Sequence, residues 1–166
     1  MAEKRALGVS SIMIGDIAVD GGVATTFASL GTIYKDTASI EQETGEEFVH
    51  EAEELDDPIE IVPTKGRTKI SWGITDFTAA TLVKVLGGTV SGVAPADIWQ
   101  APDTAQTIEK SVKVTSKNGT TFTYPRVSIK ARVSYPLAKS GIAKVLIEGT
   151  VMQPTKTGTK SCEIDA

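Results

Sequence analysis

Alternation with a period of two runs through most of this chain, and it confines the fold to half-buried β-strands. The pattern is clearest in Arg126–Tyr135, where Val127, Ile129, Ala131, Val133 and Tyr135 point one way and Arg126, Ser128, Lys130, Arg132 and Ser134 the other. Ala143–Val151 repeats it, with Val145, Ile147 and Val151 inward. Ile70, Trp72 and Ile74 alternate with Lys69, Ser71 and Gly73. Ile108, Val112 and Val114 alternate with Glu109, Ser111, Lys113 and Thr115, and Ile59 and Ile61 with Glu60 and Val62. Ser11–Val19 is apolar on both sides in places and reads as a more central strand. Aromatic residues make up only 5% of the chain, so the core must be built mainly from Val, Ile, Leu and Ala.

Turn chemistry punctuates these runs. Asn118-Gly119 predicts a tight hairpin, with both residues taking the positive φ of a type I′ turn. Pro136–Gly141 predicts the loop between the last two long strands, and Thr64-Lys65-Gly66 a turn between two earlier ones. The spacing of Ala79, Leu82, Val83 and Leu86 predicts one helix over about 76–86, with Asp76 as N-cap, Lys84 in the last turn and Gly87-Gly88 as the stop. A helix of that length cannot form its own core and should pack on a sheet. Ala94–Thr107, around Trp99, reads as an ordered loop or a short strand. Nothing divides the chain, so residues 1–154 are expected to form a single domain, followed by a polar tail, 155–166, that should fray.

Charge is distributed unevenly. Between Lys35 and Lys65 there is no basic residue, yet the stretch 36–60 holds 11 of the 21 acidic residues. The remainder carries 17 basic against 10 acidic side chains, so an arm of −11 sits on a body of +7. A plain solvated loop has little use for Ile40, Phe48, Val49 and Leu55. These residues suggest a docking arm, with Phe48, Val49 and Leu55 supplying the contact and Glu46, Glu47, Glu51, Glu53 and Glu54 its charged surround.

The residues that carry enzyme chemistry are sparse. The one histidine, His50, is embedded among acids, and no Gly-x-Ser-x-Gly elbow or phosphate-cradling Gly-rich loop occurs. Cys162 is the only cysteine and lies in the polar tail. The acidic arm lacks the spacing of a calcium loop, so no metal or cofactor is expected. Lys and Arg are spread over several strands without interleaved aromatics, which reads as the solvent face of a sheet and not as a nucleic-acid site. No signal peptide is expected after the charged Met1–Leu7, and no apolar stretch is long enough for a membrane anchor. The chain therefore reads as a structural β-protein and not as an enzyme.

The order of elements carries one resemblance. An N-terminal strand with Gly15-Asp16-Ile17 precedes the acidic arm with Thr44-Gly45-Glu46. Lys65–Trp72, the helix 76–86 and Gly87-Gly88-Thr89-Val90 follow, and the chain closes with strands around Val127–Tyr135 and Lys144–Val151. From about Val9 to Pro154 this resembles the tail tube proteins (major tail proteins) of long-tailed bacteriophages. The resemblance implies a β-sandwich or barrel of antiparallel strands with one flanking helix, six copies to a ring, and rings stacked into a tube around a tape-measure protein. Phage DNA would cross the lumen without sequence-specific binding. The chain would be made in the host bacterial cytoplasm and end in the virion tail, with itself, the tape measure and other tail proteins as partners. Lys130, Arg132, Lys144 and Glu148 would line the lumen or form subunit contacts. Tail terminators, head–tail connectors and contractile or type VI secretion tube proteins are the nearest alternatives.

Overall fold

The computed structural model describes residues 5–165, so Glu3 and Lys4 of the charged N-terminus, and Ala166 at the end of the tail, lie outside the described residues. The chain forms β1 (Ser11–Gly15), β2 (Ala28–Ser29), β3 (Ser39–Gln42), β4 (Glu47–His50), β5 (Glu60–Pro63), β6 (Thr68–Ile74), α1 (Ala79–Leu86), β7 (Thr89–Ser91), β8 (Ile98–Gln100), β9 (Ile108–Thr115), β10 (Thr121–Ser134), β11 (Lys144–Val151) and β12 (Glu163–Asp165). The fold is mainly β, with every pairing antiparallel and a single helix among the described residues. The main sheet runs β2-β1-β9-β10-β11-β6-β3, with β12 added to β10; β4-β5 and β7-β8 are separate two-stranded ribbons.

Chain geometry forces the main sheet to roll. Ser29 pairs with Met13 of β1, and Ile33, four residues on, bridges to Ile74 of β6. In a flat sheet those two positions would lie six strand spacings apart, about 29 Å. Four extended residues reach about 14 Å at most. The sheet therefore curls over its core, and Tyr34 and Thr75 strengthen the junction through Tyr34 N–H to Gly73 O (2.8 Å) and Thr75 N–H to Thr32 O (3.2 Å). It is not a closed barrel. A seam remains between the β1–β2 and β3–β6 edges, and a cleft of about 790 Å³ opens along it.

The core contains the inward residues of the alternating runs: Ile70, Trp72, Ile74, Val112, Val114, Val127, Ile129, Val145 and Ile147 are all buried. Three runs depart from expectation. The first strand ends at Gly15, and Val19 is fully exposed, because the chain turns over Ala18–Gly22 (Gly21 N–H to Ala18 O, 2.8 Å). In β10 the alternation outlasts the core, so Val133 and Tyr135 stand in solvent where the strand projects past its covering. Ser111, expected to face outward, is completely buried. It donates to Pro125 O (2.7 Å) and accepts from Ala24 N–H (3.0 Å). A bulge between Tyr124 and Val127 frees that carbonyl from the ladder, and Pro125, with no N–H to leave unpaired, suits the position.

The helix is one turn shorter than 76–86. Thr78, not Asp76, is its N-cap and accepts from Thr81 N–H (3.3 Å), while Asp76 accepts from Thr32 N–H (3.1 Å) instead. Its buried side chains are Ala79, Leu82 and Val85, with Val83 turned partly outward. It is the ribbon β7–β8 that gives Ala94–Thr107 its short strand. Trp99 anchors this ribbon to the helix end by donating Nε1–H to Gly87 O (2.9 Å).

Two turns also differ from expectation. At Asn118-Gly119 only Gly119 has positive φ, and the bonds Gly119 N–H to Ser116 O and Ser116 N–H to Thr120 O describe a type I turn closed by a glycine bulge. Asn118 stays right-handed and accepts from Ser116 Oγ–H (2.6 Å). As far as residue 165, the tail is held against the fold by specific contacts. Pro154 is buried, Lys156 pairs with Asp20 (2.6 Å), Cys162 packs against the core, and β12 extends the sheet beside Thr121–Thr123. Burial, reinforced by the neighbouring Cys162 thiol, pushes the Tyr124 hydroxyl pKa up.

Candidate functional site

The acidic arm is a β-ribbon. β3 pairs with β6 as far as Gln42↔Thr68, and beyond a short neck β4 pairs with β5 from Glu47↔Pro63 to His50↔Glu60. The arm therefore extends to Pro63, and Thr64-Lys65-Gly66 is not a turn but one half of that neck. There the two backbones cross so closely that a Cβ on Gly45 would overlap the Thr64 carbonyl, and one on Gly66 the Glu43 carbonyl. Thr64 clasps the crossing. Its N–H and hydroxyl both donate to Glu46 O (2.7 Å each), and its Oγ1 accepts from Glu46 N–H (3.0 Å). On either side, Lys69 pairs with Glu43 (2.7 Å) and Lys65 donates to Ser161 Oγ (3.2 Å). The Lys69 ammonium holds the Glu43 carboxyl below its usual pKa and is itself held above the usual lysine range.

The expected docking residues do not form a single patch. Directly opposite partners in a ribbon share a face. Phe48 and Val62 therefore lie on one face, and Val49 and Ile61 on the other. Leu55 sits apart in the tip, where its N–H donates to Ala52 O (3.2 Å). Of the acids, Glu46 belongs to the neck, Glu47 to β4, and Glu51, Glu53 and Glu54 to the tip. His50 faces Glu60 across the ribbon. Ile61 and Val62, which complete both faces, fell outside the expected contact set because charge alone marked the arm's limit at Glu60, and Ile59, though inside that limit, was read only as part of an alternating strand. The alternation of Ile59 and Ile61 was the signal that could have included them.

Every residue of β4 and β5 is exposed, including Phe48 at 56% and Ile61 at 51%; in the tip that joins them, Leu55 is 61% and Ile59 62% exposed. A two-stranded ribbon alone in water is marginal. Clustered exposed apolar side chains of this kind mark contact surfaces. Covering each half-exposed chain would contribute about 1 kcal/mol, whereas an exposed ion pair contributes about 0–1 kcal/mol. The apolar residues therefore dominate what the arm would gain by being covered, and its charge would act mainly on approach and register.

The seam cleft is a concave feature apart from the arm. Ile12, Ile70 and Val114 give it an apolar floor, and Lys35, Asp36 and Lys117 stand around it. Among the described residues no group of three His, Cys, Asp or Glu side chains could hold a metal ion, and no helix is long and apolar enough to cross a membrane. A scan against protein-family models found none matching the chain, and a search of curated proteins returned no match.

Proposed function

We propose that this chain is the repeating subunit of a phage tail tube, which assembles into stacked rings of six copies around a tape-measure protein and later conducts the genome. One observation carries the reading: the ribbon over 47–63, with seven acidic residues and no Lys or Arg, has exposed apolar residues on both faces. Such an element gains stability only when another surface encloses it, and a body of opposite charge on further copies supplies one. The rolled antiparallel sheet with one flanking helix suits the same role. In this reading the protein performs no catalysis, needs no cofactor, acts in the virion tail, and passes DNA without reading its sequence.

Negative-stain microscopy of the purified protein over a range of concentrations tests this. Tubes, or rings that stack, are expected. Single closed rings that never stack would favour a tail terminator or head–tail connector. A strictly monomeric chain at every concentration, even with a tape-measure protein present, would sink the proposal.

A further inference from the structure

Two uncovered apolar surfaces lie at opposite ends of the β6–β11 ladder. The arm leaves the sheet where Gln42 pairs with Thr68, beside the Thr150↔Lys69 pair. The β10–β11 connection leaves at the other end, beyond Ser134↔Lys144 and beside Val145↔Ile74. The five steps of β6 from Lys69 to Ile74 separate them by about 17 Å. This far end exposes Tyr135, Leu137 and Ile142, with Leu137 at 88%. Its charge is the converse of the arm's. Arg132, Lys139 and Lys144 flank the exposed apolar side chains, and residues 131–147 hold no acidic one.

We infer that the arm of one subunit docks on the β10–β11 end of a second copy, an inference that rests on the tube reading above. Apolar residues meet apolar residues, and a carboxylate-rich surround meets a cationic one. An arm laid on a second arm would instead oppose like charges, a costly juxtaposition. Because donor and acceptor surfaces occupy opposite ends of one subunit, the contact is heterologous. Each copy that docks leaves its own second surface free, so growth continues head to tail.

Two variants of the full chain test the pairing. Phe48→Asp spoils the arm and Leu137→Asp the β10–β11 end. Both side chains are exposed, so unchanged thermal melting is expected for each. Each variant alone should self-associate about tenfold or more weakly than the wild type. An equimolar mixture should form 1:1 dimers in sedimentation and stop there, since only one intact arm and one intact end remain per pair. If Leu137→Asp assembles like the wild type, or the mixture holds no dimers, the pairing is wrong while the tube reading stands. A wild type that never associates would overturn both.

Discussion

At the scale of single residues, buried polarity is concentrated at Ser111. Its hydroxyl satisfies Ala24 N–H and Pro125 O at the point where β10 bulges. Ser111→Ala leaves both groups without a partner in a dry site and should cost about 2 kcal/mol, read as a lower urea midpoint with an unchanged slope. An effect within 0.5 kcal/mol would show that water replaces the hydroxyl. Asp20 offers a pH-dependent counterpart. Its bond to Lys156, then to Gly22 N–H, holds its carboxyl below the usual range. A carboxyl depressed on folding contributes stability at neutral pH and loses it as pH falls through its folded-state value. Amide protection across 154–165 should therefore drop on acidification below about pH 4. Asp20→Asn should show the weakened protection already at neutral pH; a variant protected like the wild type would show that Asp20 does not hold the segment. The alternation made the core legible residue by residue at Ile70, Trp72, Val127 and Val145. It misplaced Ser111, because a period of two cannot reveal that the Gly22–Ala24 segment covers the second face of β9.

Among elements, the arm is where sequence and structure diverge in an informative way. Charge marked it between Asp36 and Glu60, but pairing divides that stretch at the neck: Ser39–Gln42 belongs to the main sheet, and Glu47–Pro63 projects from it. A one-dimensional charge profile cannot show this, since the dividing feature is the mutual approach of Gly45 and Gly66, twenty-one positions apart. Gly66→Ala should therefore uncouple the ribbon without unfolding the sheet. Hydrogen exchange would show faster amides in 47–63 and unchanged ones in β9–β11; uniform loss of protection would mean that the neck supports the whole fold. For assembly, Phe48→Ala should be the more damaging change and Glu53→Gln the milder, measured as the concentration at which tubes appear. The reverse order would assign the contact energy to charge. The tail was misjudged because its polar composition conceals two local anchors, Lys156 on Asp20 and the β12 pairing, both made with distant segments.

Taken as a whole, the molecule is a rolled sheet with an acidic arm at one end and Arg132, Lys139 and Lys144 toward the other, so its encounters with further copies should be steered. Exposed charges are screened beyond about 8 Å at physiological ionic strength, and raising salt should slow tube growth measured by light scattering. A rate indifferent to salt would leave the apolar faces acting alone. The fold class was legible because alternation and the Trp72–Leu86 strand-to-helix passage are local signals. The rolling of the sheet was not, since it depends on the short Ser29–Ile33 span joining two distant edges. The ribbon at the arm has one more consequence. β4 and β5 pair only with each other, so each presents an outer row of unpaired backbone donors and acceptors, flanked by β-branched and aromatic side chains. Such a segment ordinarily invites endless lateral stacking into fibrils. Its carboxylates, with no cation between Lys35 and Lys65, repel every identical neighbour that would join such a stack. The same charge that we propose to draw the arm toward a basic surface would thus protect the free protein from precipitating on itself.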